Sequence, residues 1–283
     1  MTDAAIIIPH FNDVTRLTRC LAALLPTVPP GVEVVVVDNG STESLDPVRA
    51  AWPDLRIVTE DRKGAYAARN RGVTETTAQC LFFLDSDCVP APDWLATAQS
   101  VAVQADLVGG AVAVFDETAG PRSGAQAFEA VFAFDNRSYV TRKGFSVTAN
   151  LLTRRNVFAE VGDFRGGVSE DLDWCHRARA KGYSLTYAPD LQVAHPSRGD
   201  WPALRKKWLR VTEEGFGVNG SSPAARARWA GRALMMPVSI LAHMPRVLRH
   251  DALSPRERVA ALATLARLRL ARAGWMLRQA GSQ

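Results

Sequence analysis

The chain has 283 residues, 47% of them hydrophobic and 22% charged, enough apolar content to bury one large domain or a domain with an appendage, which excludes a disordered chain. Its net charge of +5 hides an asymmetry: from His195 onward 16 Lys and Arg stand against 5 Asp and Glu, net +11, whereas the preceding part carries −6. Four separated cysteines (Cys20, Cys80, Cys88, Cys175) contain no C-x-x-C pair and read as reduced thiols, and no apolar run reaches the roughly 18 unbroken residues of a membrane span.

Met1-Thr2-Asp3-Ala4-Ala5 has no basic region ahead of the short run Ile6-Ile7-Ile8, so no secretory signal is read and a cytoplasmic protein is expected. Ala5 to Pro9 and Glu33 to Val37 are β-prone runs that end in loop chemistry, and Thr15 to Leu25 between them has leucines at helical spacing. Strand, helix, strand with near-continuous apolar strands predicts a buried parallel sheet. Leu55 to Thr59 and Cys80 to Leu84 continue the pattern around a helix opened by Gly64 to Gly72. Ligands of such sheets sit at the carboxyl ends of the strands, where Pro9, Asp38 and Asp85 fall.

Further on, Asp93 to Val103 and Ala125 to Tyr139 read as helices, and Leu107 to Phe115 and Ser146 to Leu152 as strands. Ser169 is a candidate cap for a helix reaching Lys181, and Leu185 to Tyr187 and Gln192 to His195 are two short extended pieces. From Trp201 the texture becomes arginine-rich helix, with Ser254-Pro255-Arg256-Glu257 a capping box. The boundary is therefore drawn between residues 1–200 and a basic helical extension, 201–283.

Five features could carry chemistry. Asp85 and Asp87 flank Ser86 after a hydrophobic strand; strand-like alternation would turn both carboxylates to one side, where repulsion calls for a cation, or the triplet is a plain polar turn. Mn²⁺ or Mg²⁺ suits such oxygens and takes its other ligands from phosphates. Asp38 could accept bonds from a nucleobase or ribose, or close a solvated Asp-Asn-Gly-Ser turn; a dinucleotide site is excluded because no G-x-G-x-x-G follows the first strand. Gly64 to Gly72 could cradle a diphosphate with helix-start amides, Arg69 and Arg71, or be ordinary helix. Glu170 and Asp171 suit a helix N-terminus through its dipole, and Asp171 could alternatively be a general base. His195 could ligate a metal or cap a strand.

Together Ile6-Ile7-Ile8-Pro9 with Asn12, Val37-Asp38-Asn39-Gly40-Ser41-Thr42, Gly64 with Ala68-Arg69-Asn70-x-Gly72, Leu84-Asp85-Ser86-Asp87, Glu170-Asp171-Leu172-Asp173 and His195 resemble, in order and spacing, the family 2 glycosyltransferases. The resemblance covers residues 4 to about 200, and Val161-Gly162-Asp163-Phe164 is similar to the family's Gly-Gly-Phe turn. It implies an α/β, GT-A-like, Rossmann-type, mostly parallel sheet flanked by helices. It also implies that Phe11 and Asp38 contact the base, that Gly64 and Arg69 lie along the nucleoside diphosphate, and that Pro9, Ser86 and Glu170 belong to the nucleotide-sugar site. Asp85 would approach ribose or metal, Asp87 would ligate the metal with His195, and Asp171 would be the base of a single inverting displacement. Phe11 stands where tyrosine is usual, and Arg62-Lys63 where asparagine is commoner.

The expected activity is metal-dependent inverting transfer from a nucleotide sugar, a uridine diphosphate sugar by preference, to a hydroxyl acceptor, lipid-linked or polysaccharide. The rival is a catalytically silent nucleotide-binding, membrane-associated module. The basic extension reads as a packed solvated surface or as a membrane-binding element acting through arginines with Trp229, Met235, Met236, Leu241 and Trp275 at the inner face of the membrane; no nucleic acid is expected.

Overall fold

A computed structural model describes residues 3–282, so Met1 and Thr2, used in reading the N-terminus, lie outside the described residues. In chain order the first half contains β1 (Ala4–His10), α1 (Val14–Leu24), β2 (Glu33–Asp38), α2 (Asp46–Ala51), β3 (Arg56–Thr59), α3 (Ala65–Thr74), β4 (Cys80–Leu84), β5 (Val89–Pro90), α4 (Trp94–Val101) and β6 (Leu107–Phe115). There follow α5 (Gly124–Phe132), α6 (Asn136–Ser138), β7 (Asn150–Arg154), α7 (Arg155–Val161), α8 (Glu170–Ala180), β8 (Leu185–Pro196), α9 (Trp201–Asn219), α10 (Pro223–Leu248) and α11 (Pro255–Gly281).

The eight strands form one sheet in the order β3-β2-β1-β4-β7-β6-β8-β5. The first four run parallel, as the apolar strands predict, with β1 central. β7 then pairs antiparallel with both β4 and β6. Alternation along β1 sends Ala4, Ile6 and Ile8 to one apolar layer with α1 and α4, and Ala5 and Ile7 to the other with α3, α7 and α8. At Gly72 a Cβ would come within 2.3 Å of Ile7, so only glycine lets α3 lie this close to the sheet. Buried Asn150 gives its amide to Ala111 and Leu191 and accepts the Trp94 indole at 2.9 Å, tying the antiparallel half together.

Some elements differ from the sequence reading. The helix expected over 125–139 ends at Phe132, because the Asp135 side chain caps a new start by accepting the Ser138 amide. The strand expected from Ser146 begins at Asn150, because the Ser146 hydroxyl and Val147 amide are taken by Asn136. The two pieces at 185–187 and 192–195 are a single strand. Two short helices, α2 and α7, have no periodicity long enough to read. The four cysteines are free and buried.

Two compact units emerge. Residues up to Ala113, Asp135–Gly166 and Glu170–His195 form the sheet unit, and Val114–Phe134, Gly167–Ser169 and Pro196–Gln283 form a helical unit. The helical unit is thus discontinuous in sequence and recruits α5 as well as the stretch from Pro196 onward. Ala125, Phe128 and Val131 of α5 share a core with Leu204, Val247, Leu265, Leu268 and Trp275. Inside it Glu129, 1% exposed, accepts the Lys207 ammonium at 2.9 Å and the Arg198 amide at 2.7 Å. Burial alone would raise the Glu129 carboxyl, yet Lys207 and Arg198 hold it below its ordinary value. The capping box read at Ser254 and Glu257 is present. Among the described residues no helix is long and apolar enough to cross a membrane.

Candidate active site

All the residues proposed for chemistry lie in the sheet unit, at the carboxyl ends of β1, β2 and β4 and on α3, α8 and β8. The rim is built from loops that lock one another. Asn12 takes a left-handed φ of 48°, which asparagine tolerates, and its side-chain oxygen accepts the amides of Thr42 at 2.8 Å and Glu43 at 3.1 Å. Ser41 donates its amide to Asp38 and accepts the Asn12 amide, so the loops after β1 and β2 are clasped. Asn39 is buried; its amide donates to the carbonyls of Glu60 and Arg62, and its oxygen accepts the Gly64 amide at 2.7 Å. Gly64 itself has φ of 124°, a conformation reserved for glycine, and a Cβ there would strike the Tyr66 ring at 2.5 Å.

Phe11 projects from this rim, 53% exposed, with the Lys63 ammonium 5.0 Å from its ring centre. Lys63 also donates to the carbonyls of Asn39 and Gly40. Pro9 is different: it pairs with Val37 inside β1, which runs on to His10, and is buried there. His10 is 1% exposed with neither ring nitrogen hydrogen-bonded. Burial holds its pKa below the usual imidazole range, against the opposing pull of Asp38, Asp13 and Glu43.

The floor is a charge network. After β4 the chain does not continue as strand: the Cys88 amide closes a turn onto the Asp85 carbonyl at 3.0 Å, with half-buried Ser86 inside the turn. The alternation argument for Asp85 and Asp87 therefore does not apply, and each carboxylate has its own partner. Asp85 binds one terminal nitrogen of Arg69, and Glu170, 101 residues further along the chain, binds the other. The Arg69 side chain is only 4% exposed and points its terminal nitrogens at carboxylates, not at an open cradle. Burial would lower the Arg69 pKa, but Asp85 and Glu170 drive it up. Burial, joined by Asp171 and Asp85, raises Glu170 in spite of Arg69.

Asp87 meets the imidazole of His195 at 3.2 Å, although 108 positions separate them in sequence. Asp171, in the first turn of α8, accepts the Leu172 amide at 2.8 Å. Its neighbour Asp173 faces Arg177, which also donates to the carbonyls of Val161 and Asp163 and so braces α8 against the Gly162 turn. Asn70 clasps the same turn through both groups of the Phe164 backbone.

Asp85 and Glu170 are thus joined by the Arg69 guanidinium, with Asp171 next to Glu170 on α8, Asp87 and His195 paired with each other, and Asp38, Phe11 and Gly64 on the loop rim. Sequence reasoning named Asn12, Asn39, Asn70 and Lys63 only as parts of the family resemblance, without a role of their own, and passed over His10. The asparagines could have been found from the turn-forming and backbone-bonding habits of the residue; His10 and Lys63 carry no such local signal. Among the described residues no three His, Cys, Asp or Glu side chains converge as a ready-made metal cage.

This architecture is that of the GT-A glycosyltransferases. A mannosyltransferase of Pyrobaculum calidifontis, solved with GDP-Man and Mn²⁺, superposes with a TM-score of 0.53 at 20% identity over 98% of this chain and 72% of that one. Staphylococcus aureus TarS 1-349, solved with UDP-GlcNAc, gives 0.56 at 15% identity over 92% and 70%. The chain belongs to glycosyl transferase family 2, whose model matches residues 5–170. It is 32% identical to the glycosyltransferase AglE of Haloferax volcanii over 260 residues, 87% of this chain and 84% of that protein. The pre-mycofactocin glycosyltransferase of Mycobacterium tuberculosis is 31% identical over 254 residues, 82% of this chain but 51% of its own length, so the chain spans about half of that relative. The chain is therefore a glycosyltransferase.

Proposed function

We infer that the enzyme transfers a sugar from a nucleotide donor, a uridine diphosphate sugar in the first instance, to a hydroxyl acceptor with inversion and with the help of Mn²⁺ or Mg²⁺. The observation that carries the reading is the carboxylate set at Arg69: Asp85 and Glu170 share its one guanidinium, whereas Asp87 has an imidazole beside it at 3.2 Å. An oxygen and a nitrogen donor in contact fit Mn²⁺ well and Mg²⁺ acceptably, with the remaining positions left to diphosphate oxygens and water, as is usual for these ions. When bound, the ion supplies Lewis-acid stabilisation of the departing nucleoside diphosphate. Structural neighbours of the same fold were solved with Mn²⁺, which supports the choice.

The chain's own groups would do the rest. Phe11 stacks on the base and Asp38 accepts a hydrogen bond from base or ribose, with Lys63 and the amide edge at Gly64 near the phosphates. Pro9 acts by shaping the strand end, and Ser86 by holding the turn. Arg69 holds Asp85 and Glu170 in place, Asp85 serving the ribose side and Glu170 the edge of the donor sugar. Asp171 takes the proton from the attacking hydroxyl as the new bond forms, and alignment of that hydroxyl with the anomeric carbon supplies much of the acceleration. The acceptor is lipid-linked or a growing polysaccharide, met at the inner face of the membrane by a peripheral enzyme whose basic helices attach there.

The test is release of free nucleotide from a panel of nucleotide sugars with and without Mn²⁺. Metal-dependent diphosphate release, lost in Asp171→Asn with donor binding retained, is expected. Pyrophosphate release, or tight binding without turnover across the panel, would refute the reading.

A further inference from the structure

The peripheral attachment just proposed lacks a defined surface, and the tryptophans suggested by sequence do not provide one: Trp229 and Trp275 are 5% and 6% exposed, packed in the helical cores. Exposure points elsewhere. Of the eleven large apolar side chains that stand exposed among the described residues, nine belong to the helical unit, and five of these are on α10: Leu234, Met235, Val238, Leu241 and Leu248. Leu234, Val238, Leu241 and Leu248 recur at intervals of four, seven and fourteen, which puts them on one stripe, with Met235 at its edge and exposed Pro245 within it.

The charges that α10 itself carries are of one sign. α10 contains no Asp or Glu from Pro223 to Leu248, and none of its residues between Arg232 and Arg246 is Lys or Arg. Exposed Arg228 and Arg232 precede the apolar segment, and exposed Arg246 and Arg249 stand on either side of Leu248 at its end. We propose that this face of α10 lies in the plane of an anionic bilayer, its apolar stripe in the acyl boundary and its flanking guanidiniums among lipid phosphates.

The pattern discriminates between occupants. A second copy meeting this face through a two-fold axis would bring two sets of arginines together without a carboxylate on α10 to offset them. A nucleic acid would leave the uncharged centre of the stripe against phosphates and bases with nothing to bond. A span across the bilayer is ruled out by the hydropathy of the helix. An interfacial helix needs an apolar face, basic flanks and a low overall hydropathy, and α10 supplies all three.

The inference rests on the peripheral reading above but is read out separately from catalysis. The full chain is sedimented with mixed phosphatidylglycerol and phosphatidylcholine vesicles, with phosphatidylcholine alone, and across a salt series, while nucleotide release from the donor is followed without lipid. Binding to the anionic vesicles that weakens with salt is expected, and the triple variant Leu234→Gln, Val238→Gln, Leu241→Gln should bind roughly a hundredfold more weakly, since three apolar side chains no longer leave water. All three are more than half exposed, so the variant should keep its fold and its lipid-free turnover. A second variant with Arg228, Arg232, Arg246 and Arg249 changed to Gln should lose the preference for anionic vesicles. Failure of the wild-type chain to sediment with anionic vesicles, equal binding by the triple variant, or a wild-type dimer that the triple variant converts to monomer would each overturn the proposal. Failure of vesicle binding with turnover intact would leave the catalytic reading standing.

Discussion

The sheet unit and the helical unit solve the problem of buried charge in opposite ways. In the first, cations serve carboxylates: Arg69 is enclosed with Asp85 and Glu170, and Asp87 meets the His195 imidazole. In the second, half-buried guanidiniums find few acids to meet them. Arg272 donates to the Thr212 hydroxyl and lies 4.6 Å over the Trp208 ring, Arg269 reaches the Met236 sulfur, and burial with neighbouring Arg269 pulls Arg272 down to about 10. Glu129, with Lys207 and Arg198, is the exception that resembles the sheet unit. One region is richer in acids and the other in bases, a division visible already in the −6 and +11 of the sequence.

The comparison can be broken at its strongest point first. Asp171→Asn should lower kcat by about 10²- to 10⁴-fold, the range for a general base, with the donor Kd unchanged by calorimetry; a variant that turns over normally would remove the chemistry from the sheet unit. Arg69→Met would leave Asp85 and Glu170 without their cation and should cost about 3 kcal/mol in denaturant unfolding, in addition to lost turnover. Glu129→Gln is the matching probe of the helical unit: it strands Lys207 and Arg198, and should cost about 2 to 3 kcal/mol while lipid-free turnover by the folded fraction persists. Equal loss of turnover in both variants would erase the functional distinction.

Acid gives the smallest effect. The backbone amides of Ser254 and Arg122 hold the Glu257 carboxyl at about 2, against an ordinary 4.5. Its folded pKa is the lower one, so its stabilisation is complete above 4.5 and disappears as the pH falls through about 2. Acid unfolding followed by tryptophan fluorescence should show a shallower slope in that window for Glu257→Gln than for the wild type.

Local chemistry was legible wherever a few neighbouring residues decide the outcome. The run Ile6-Ile7-Ile8, the leucines of α1 and the Ser254 capping box state their structures within one or two turns of chain. β8 read as two pieces because Pro189 and Asp190 mimic a turn, and only the sheet's long-range pairing carries the strand past them. In the site, residue types were readable and partners were not. Nothing near Arg69 announces Glu170, and nothing near Asp87 announces His195. Likewise a helical wheel contains Trp229 and Leu241 alike, and only the neighbouring helices decide which is covered and which is left to solvent.

Asn39 has a further consequence that concerns entropy more than charge. Its single amide holds the loop after β2 to residues 60–64 by three hydrogen bonds, so the two segments have no independent set of conformations to lose. On the proposed reading, the ordering of the rim would be completed when the chain folds and would not have to be repeated when a nucleotide arrives, which is the condition for a small site to bind a flexible donor well. Removing that amide would move the cost from folding to binding: a nucleotide would then have to organise both loops itself, and its association would turn entropically unfavourable before any contact to the ligand had been changed.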